Sequence, residues 1–221
     1  MQVPVKNTTG ETLRQIEISD YVFGVKPNKS LAHQALIRQL ANERHGNASA
    51  KTRTEVAGST KKMYAQKHTG RARPGSAKSP LRKGGGIIFP PKPRDYHQAI
   101  PKKMKRLALR SVLSGKLAEN ELVVLDDLSL NAPKTKDMSN ILSVLGIESS
   151  ALIALEQPDI NVVKSARNIP GIATIPANLL NVADIMSHKV LLMTVNAVRK
   201  AEELWGDSTS EGDNSAPVRS T

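Results

Sequence analysis

The residues from Lys51 to Pro80, KTRTEVAGSTKKMYAQKHTGRARPGSAKSP, hold eight cations set among small and hydroxyl side chains. That arrangement suits phosphate. Lys supplies a mobile point charge, Arg a bidentate fork, and Gly a backbone that can approach phosphate oxygens closely. Tyr64 sits among these cations. It either stacks on an unpaired base or tucks against the protein.

Other chemistry finds less support. Gly70 to Gly75, followed by Ser76, has the spacing of a phosphate loop but lacks the Gly-Lys-Ser/Thr ending and a preceding buried strand. Gly84-Gly85-Gly86 lacks the dinucleotide spacing. The five histidines, His33, His45, His68, His97 and His188, are scattered, and the chain has no Cys. Neither a metal site nor a thiol nucleophile is therefore expected. Asp126-Asp127 follows the apolar run Leu122 to Leu125. The edge after a parallel strand often holds active sites, and two carboxylates could hold Mg²⁺. No partner carboxylate or nucleophile accompanies them, so no catalytic residue, cofactor or small-molecule substrate is expected.

The elements that must position the basic run follow from charge and periodicity. The 221 residues carry 32 Lys and Arg against 20 Asp and Glu, a net +12 with pI near 10.0. Between Arg44 and Arg110 there are 18 Lys and Arg and two acids, Glu55 and Asp95, a net +16. The remainder carries 14 and 18, a net −4. The basic segment also holds seven of the 14 Gly and six of the 13 Pro. Its few large apolar residues cannot offset the entropy of ordering, so it reads as a long loop rather than a folded domain. Doubled back on itself, a loop of about 50 residues reaches at most roughly 80 Å. That reach suits threading between RNA helices and ordering on them. With no apolar leader at Met1 to Gly10 and no long apolar run, the expectation is a cytoplasmic protein with no membrane partner.

The flanks read as folded. Pro4 to Ile18 suggests a small hairpin, through the alternation of Thr12, Arg14, Ile16 and Ile18. Ser30 to Glu43 reads as a helix capped by Ser30, with Leu31, Ala35, Leu36 and Leu40 on one face, ending near His45-Gly46. Pro101 to Leu117 reads as a second helix, with Met104, Ala108, Val112 and Leu113 on one face. Its cations Lys102, Lys103, Lys105, Arg106 and Arg110 extend the basic character of the loop. Beyond Glu121, apolar runs at 122–125, 151–155, 171–175 and 190–195 suit strands buried on both faces. They alternate with helical patterns at 135–145, 161–168, 179–186 and 196–204. The expected fold is α/β, a mostly parallel sheet flanked by helices, with a long basic loop inserted. Residues 207–221 read as a disordered tail.

Several segments resemble a known family. Lys51-Thr-Arg, Val56-Ala-Gly, Lys61-Lys62, Gln66-Lys67, Thr69-Gly70-Arg71-Ala72-Arg73, Gly75-Ser76 and Lys78-Ser79-Pro80 are similar to the extended loop of the bacterial-type family of large-subunit ribosomal protein four. So are Gly85-Gly86-Ile87-Ile88-Phe89, Lys102-Lys103-Met104 and Ala132-Pro133-Lys134-Thr135-Lys136. The resemblance runs from about residue 1 to residue 205.

It implies a structural, non-enzymatic constituent of the large ribosomal subunit, bound to 23S-type ribosomal RNA and to other large-subunit proteins. It also implies a role in early subunit assembly and a loop tip that helps line the nascent-peptide exit tunnel. Some members of the family regulate their own operon. The division implied is one globular α/β domain from residues 1–44 and 101–206, an RNA-penetrating loop at 45–100, and the tail. By position, Met63, Tyr64, Gln66, Lys67, His68, Thr69 and Gly70 form the tip. RNA contacts fall to Lys51, Arg53, Lys61, Lys62, Tyr64, Lys67, Arg71, Arg73, Lys78, Arg82, Lys83, Lys102, Lys103 and Arg106. The chain departs from the usual family tip, which has Pro-Trp at Met63-Tyr64, Arg at Ala65, Gly at Thr60 and at His68, and Ser at Pro74. An RNA-processing α/β enzyme docking through the same arm is the competing expectation. Its only chemical foothold is Asp126-Asp127.

Overall fold

The computed structural model describes residues 1–206, so the tail expected at 207–221 lies outside them. Two units are present: Met1–Leu40 together with the chain from Ala99 onward, and Ala41–Gln98.

The first unit is built on a six-stranded sheet. Strand β1 (Gln2–Lys6) pairs antiparallel with β2 (Thr12–Glu17), which is the expected hairpin. The hairpin joins the main sheet, because β1 also pairs in parallel with β3 (Leu122–Leu125). The remaining strands, β4 (Ala151–Leu155), β5 (Ile172–Pro176) and β6 (Val190–Thr194), are all parallel to it. The order is β2-β1-β3-β6-β4-β5.

Helices cover both faces. On one lie α1 (Asp20–Phe23), α2 (Lys29–Glu43), α3 (Lys102–Ala118), α6 (Val182–Ser187) and α7 (Val195–Trp205). On the other lie α4 (Thr135–Val144) and α5 (Ile160–Ala166). The apolar runs serve both cores because strand side chains alternate. Leu122, Val124, Leu152, Ala154, Leu191 and Met193 face the first core. Leu125, Ala151, Ile153, Leu155 and Leu192 face the second.

The structure revises three local expectations. Asn28, not Ser30, caps α2: its side-chain oxygen accepts from the Leu31 amide at 3.1 Å. The buried face of α2 is Leu31, Ala32 and Ala35, and Leu40 is 55% exposed. The pattern expected from 179 to 186 splits into a short 3₁₀ turn (Ala177–Leu179) and α6, whose start is capped by Asn181 accepting from the Asp184 amide at 2.8 Å. Polar groups buried on α3 are used to fix its neighbours. Ser111 Oγ accepts from the Asn28 amide at 2.6 Å, and Ser114 Oγ from the Val25 amide at 3.0 Å. The segment leading into α2 is thereby tied to α3.

Candidate nucleic-acid interface

Most of the basic run lies in the second unit, Ala41–Gln98, whose chain doubles back through backbone contacts. At its neck the Arg94 amide donates to the Gly46 carbonyl at 3.2 Å, and the Ala50 amide to the Pro91 carbonyl at 3.0 Å. The Gln98 amide donates to Asn42 Oδ1 at 2.8 Å. Gly46 has φ +65°, and a Cβ there would lie 2.1 Å from the Arg94 carbonyl oxygen. The turn therefore needs glycine.

Further along, the Ile87 amide donates to the Lys51 carbonyl at 3.0 Å and the Gly86 amide to the Lys78 carbonyl at 3.1 Å. Gly86 is the one buried residue between Ala41 and Gln98, and a Cβ on it would meet the Arg53 amide nitrogen at 2.2 Å. Toward the tip, Lys62 and Ser76 form an isolated antiparallel bridge. The Tyr64 hydroxyl donates to the Ala72 carbonyl, so of its two readings the contact present is the one with its own chain. His68 has φ +65°. It adopts a left-handed conformation, at a cost of about 1–2 kcal/mol for a side chain.

Backbone closure turns the charges outward. Lys51, Arg53, Lys61, Lys62, Lys67, Arg71, Arg73, Arg82 and Lys83 are exposed, and Lys78 is half-buried. Lys102, Lys103 and Arg106 are exposed on the first turns of α3, in the first unit. Among the described residues Lys92 alone of the second unit's cations meets a carboxylate, that of Glu55. The Lys92 hydrogen bond, followed by that of the Thr52 amide, holds the Glu55 carboxyl below its ordinary value. Arg53 and Lys78 line one open cleft with the hydroxyls of Thr54, Thr60, Ser76 and Ser79. Cations and hydroxyl donors converging there form a surface for phosphate oxygens. Of the residues expected at the tip, Met63, Gln66, Lys67, His68 and Gly70 are exposed, whereas Tyr64 and Thr69 are partly covered.

Sequence reasoning passed over the neck. The guanidinium groups of Arg44 and Arg94 stack on the Tyr96 ring, 4.0 and 4.3 Å from its centroid. Nothing local links residues fifty positions apart, so only the closed chain reveals the stack. Sequence reasoning counted Leu81 and Phe89 among the segment's few large apolar residues without giving them a site role, and they are 97% and 93% exposed inside a charged segment. The Gly84-Gly85-Gly86 and Pro90-Pro91 that flank the Ile87-Ile88-Phe89 run were the available signal. On α3, Arg110 leaves the basic face: its guanidinium lies over Tyr21, 4.4 Å from the ring centroid.

Asp126 has a structural partner. Arg14 on β2 donates to its carboxylate at 2.7 Å. No group of three or more metal-ligating side chains surrounds it among the described residues. No helix among them is long and apolar enough to cross a membrane.

The chain is 53% identical to the large ribosomal subunit protein uL4 of Dehalococcoides mccartyi over 206 residues, 93% of this chain and 98% of that one. It is 50% identical to the protein of the same name from Alkaliphilus oremlandii over 204 residues, 92% of this chain and 99% of that one. Against the corresponding protein of Heliobacterium modesticaldum it is 48% identical, with the same coverage. Residues 16–204 match the ribosomal protein L4/L1 family, a family of structural proteins rather than enzymes, and to that family the chain belongs.

Proposed function

We propose that this ribosomal protein is a structural constituent of the large subunit, bound to 23S-type ribosomal RNA and neighbouring large-subunit proteins in the cytoplasm. Residues 1–44 and 101–206 serve as the globular anchor, and 45–100 as the RNA-penetrating loop. The tip residues 63–70 help line the nascent-peptide exit tunnel, and the protein supports early subunit assembly. Binding of its own messenger RNA through the same loop gives it an autogenous regulatory role.

The observation that carries this reading is the set of cations between Lys51 and Lys83, nearly all exposed and none paired with a carboxylate among the described residues. A surface of that kind needs a polyanion, and folded RNA is the polyanion whose phosphate spacing a narrow, doubled-back segment can follow. Names carried by relatives at about half identity point the same way. The competing enzyme reading is disfavoured by membership of a ribosomal-protein family, and of its two carboxylates Asp126 is paired with Arg14.

The test is deletion of residues 55–90 with a short Gly/Ser closure, followed by sedimentation of lysate at low salt. The full chain is expected in the large-subunit fraction and the deletion variant at the top of the gradient. Normal incorporation of the deletion variant would sink the role given to the loop.

A further inference from the structure

The first unit is nearly balanced in charge, with 19 Lys and Arg against 17 Asp and Glu, but its cations are not spread evenly. A cleft of about 220 Å³ opens where α2, α3, the 3₁₀ turn, α6 and α7 meet. Arg38 of α2, Lys102, Lys105 and Arg106 of α3, Asn178 and Trp205 line it. Its floor includes Leu109 and Leu180, both buried. No carboxylate lines the cleft among the described residues. Lys102, Lys105 and Arg106 make no ion pair among them. Trp205 is the chain's one tryptophan, and it is partly buried against the core while still lining the cleft.

These groups divide the labour a nucleotide requires. An indole and two leucines offer an apolar slot for a base, and stacking on an aromatic ring tolerates any base. The cations around the slot suit the phosphates on either side of it. The Asn178 amide can both donate to and accept from a base edge. A helical duplex presents no free base face, so the ligand must be unpaired.

We propose that this cleft takes one unpaired nucleotide of RNA, its base against Trp205 and its flanking phosphates on Lys105 and Arg106. This would be a second contact, separate from the loop, resting on the RNA-binding function proposed above.

The test uses the full chain and its own fluorophore. Titration with the unstructured RNA hexamer U6 is expected to quench Trp205 fluorescence saturably. A hexaglutamate peptide of similar charge is expected to leave it unchanged. The double variant Lys105→Ala/Arg106→Ala, at exposed positions, is expected to raise the midpoint about tenfold. Asn178→Asp, which places a carboxylate in the cleft without touching α3, is expected to weaken binding in the same direction. No saturable quenching, equal quenching by hexaglutamate, or midpoints unmoved by both variants would overturn the proposal. Anisotropy of a labelled, structured ribosomal RNA fragment is read in parallel. Fragment binding without Trp205 quenching rejects the cleft alone. Quenching without fragment binding supports the cleft and rejects the wider assignment.

Discussion

The sheet unit and the basic segment close by opposite means. The sheet unit buries two apolar cores, one on each face, and needs no partner to do so. The basic segment, Ala41–Gln98, buries a single glycine. It is held by a few backbone hydrogen bonds, an Arg–Tyr–Arg stack at the neck and an exposed ion pair. Exposed pairs contribute about 0–1 kcal/mol, which is small beside the entropy of fixing tens of residues. One unit therefore carries the stability of the chain, and the other carries the charge that waits for a polyanion.

Substitutions can break that contrast. The largest effect is expected in the second core. Ile153→Ala removes a fully buried side chain and should cost about 2–5 kcal/mol by denaturant melt. RNA affinity of the folded fraction should be unchanged. Next, Lys67→Ala/Arg71→Ala/Arg73→Ala should leave the melt alone and weaken RNA binding. Three lost phosphate contacts should reduce the magnitude of the log–log salt slope by about two. An unchanged slope would mean these side chains do not meet phosphate.

Gly86→Ala tests closure of the segment without touching charge. The clash with the Arg53 amide should open the contact between Lys51 and Ile87 and reduce RNA affinity about tenfold. The thermal transition of the sheet unit should not move. Asn28→Ala, by contrast, should lower that transition by about 1 kcal/mol through loss of the α2 cap, with no change in salt slope.

The smallest effect concerns pH. The Glu55 carboxyl is held below its ordinary value of 4.5, so its contacts with Lys92 and the Thr52 amide are fully present above pH 4.5. They are lost as pH falls through the lower folded value. The Thr52 amide chemical shift should report that titration, and Glu55→Gln should abolish it while the sheet unit is unaffected.

Much of the sheet unit was legible because its signals are local. The runs at Leu122, Ala151 and Val190 are short, apolar and bounded by polar residues, so their burial on two faces could be read directly. Errors came where one residue's role depends on a distant one. Ser30 looked like the cap of α2 until the Asn28 side chain was seen accepting from the Leu31 amide, with the Asn28 amide itself tied to Ser111 on α3. Arg110 looked like part of a basic face until Tyr21 was found beneath it. Asp126 looked unpartnered because Arg14 lies on a different strand. In the basic segment the charge was plain from composition, but its path was not. The Tyr96 stack and the bridge of Lys62 to Ser76 join residues with no periodic relation. The cleft at Trp205 was hidden for the same reason, since its lining comes from five separate elements.

Hydrogen exchange on the full chain, free and bound to a large-subunit ribosomal RNA fragment, tests the central contrast most directly. Amides of β3, β4 and β6 are expected to be protected in both states. Amides between Ala50 and Pro91 are expected to exchange rapidly in the free chain and to gain strong protection on the RNA. Protection of that segment in the free chain equal to the sheet's, or no gain on binding, would contradict the account.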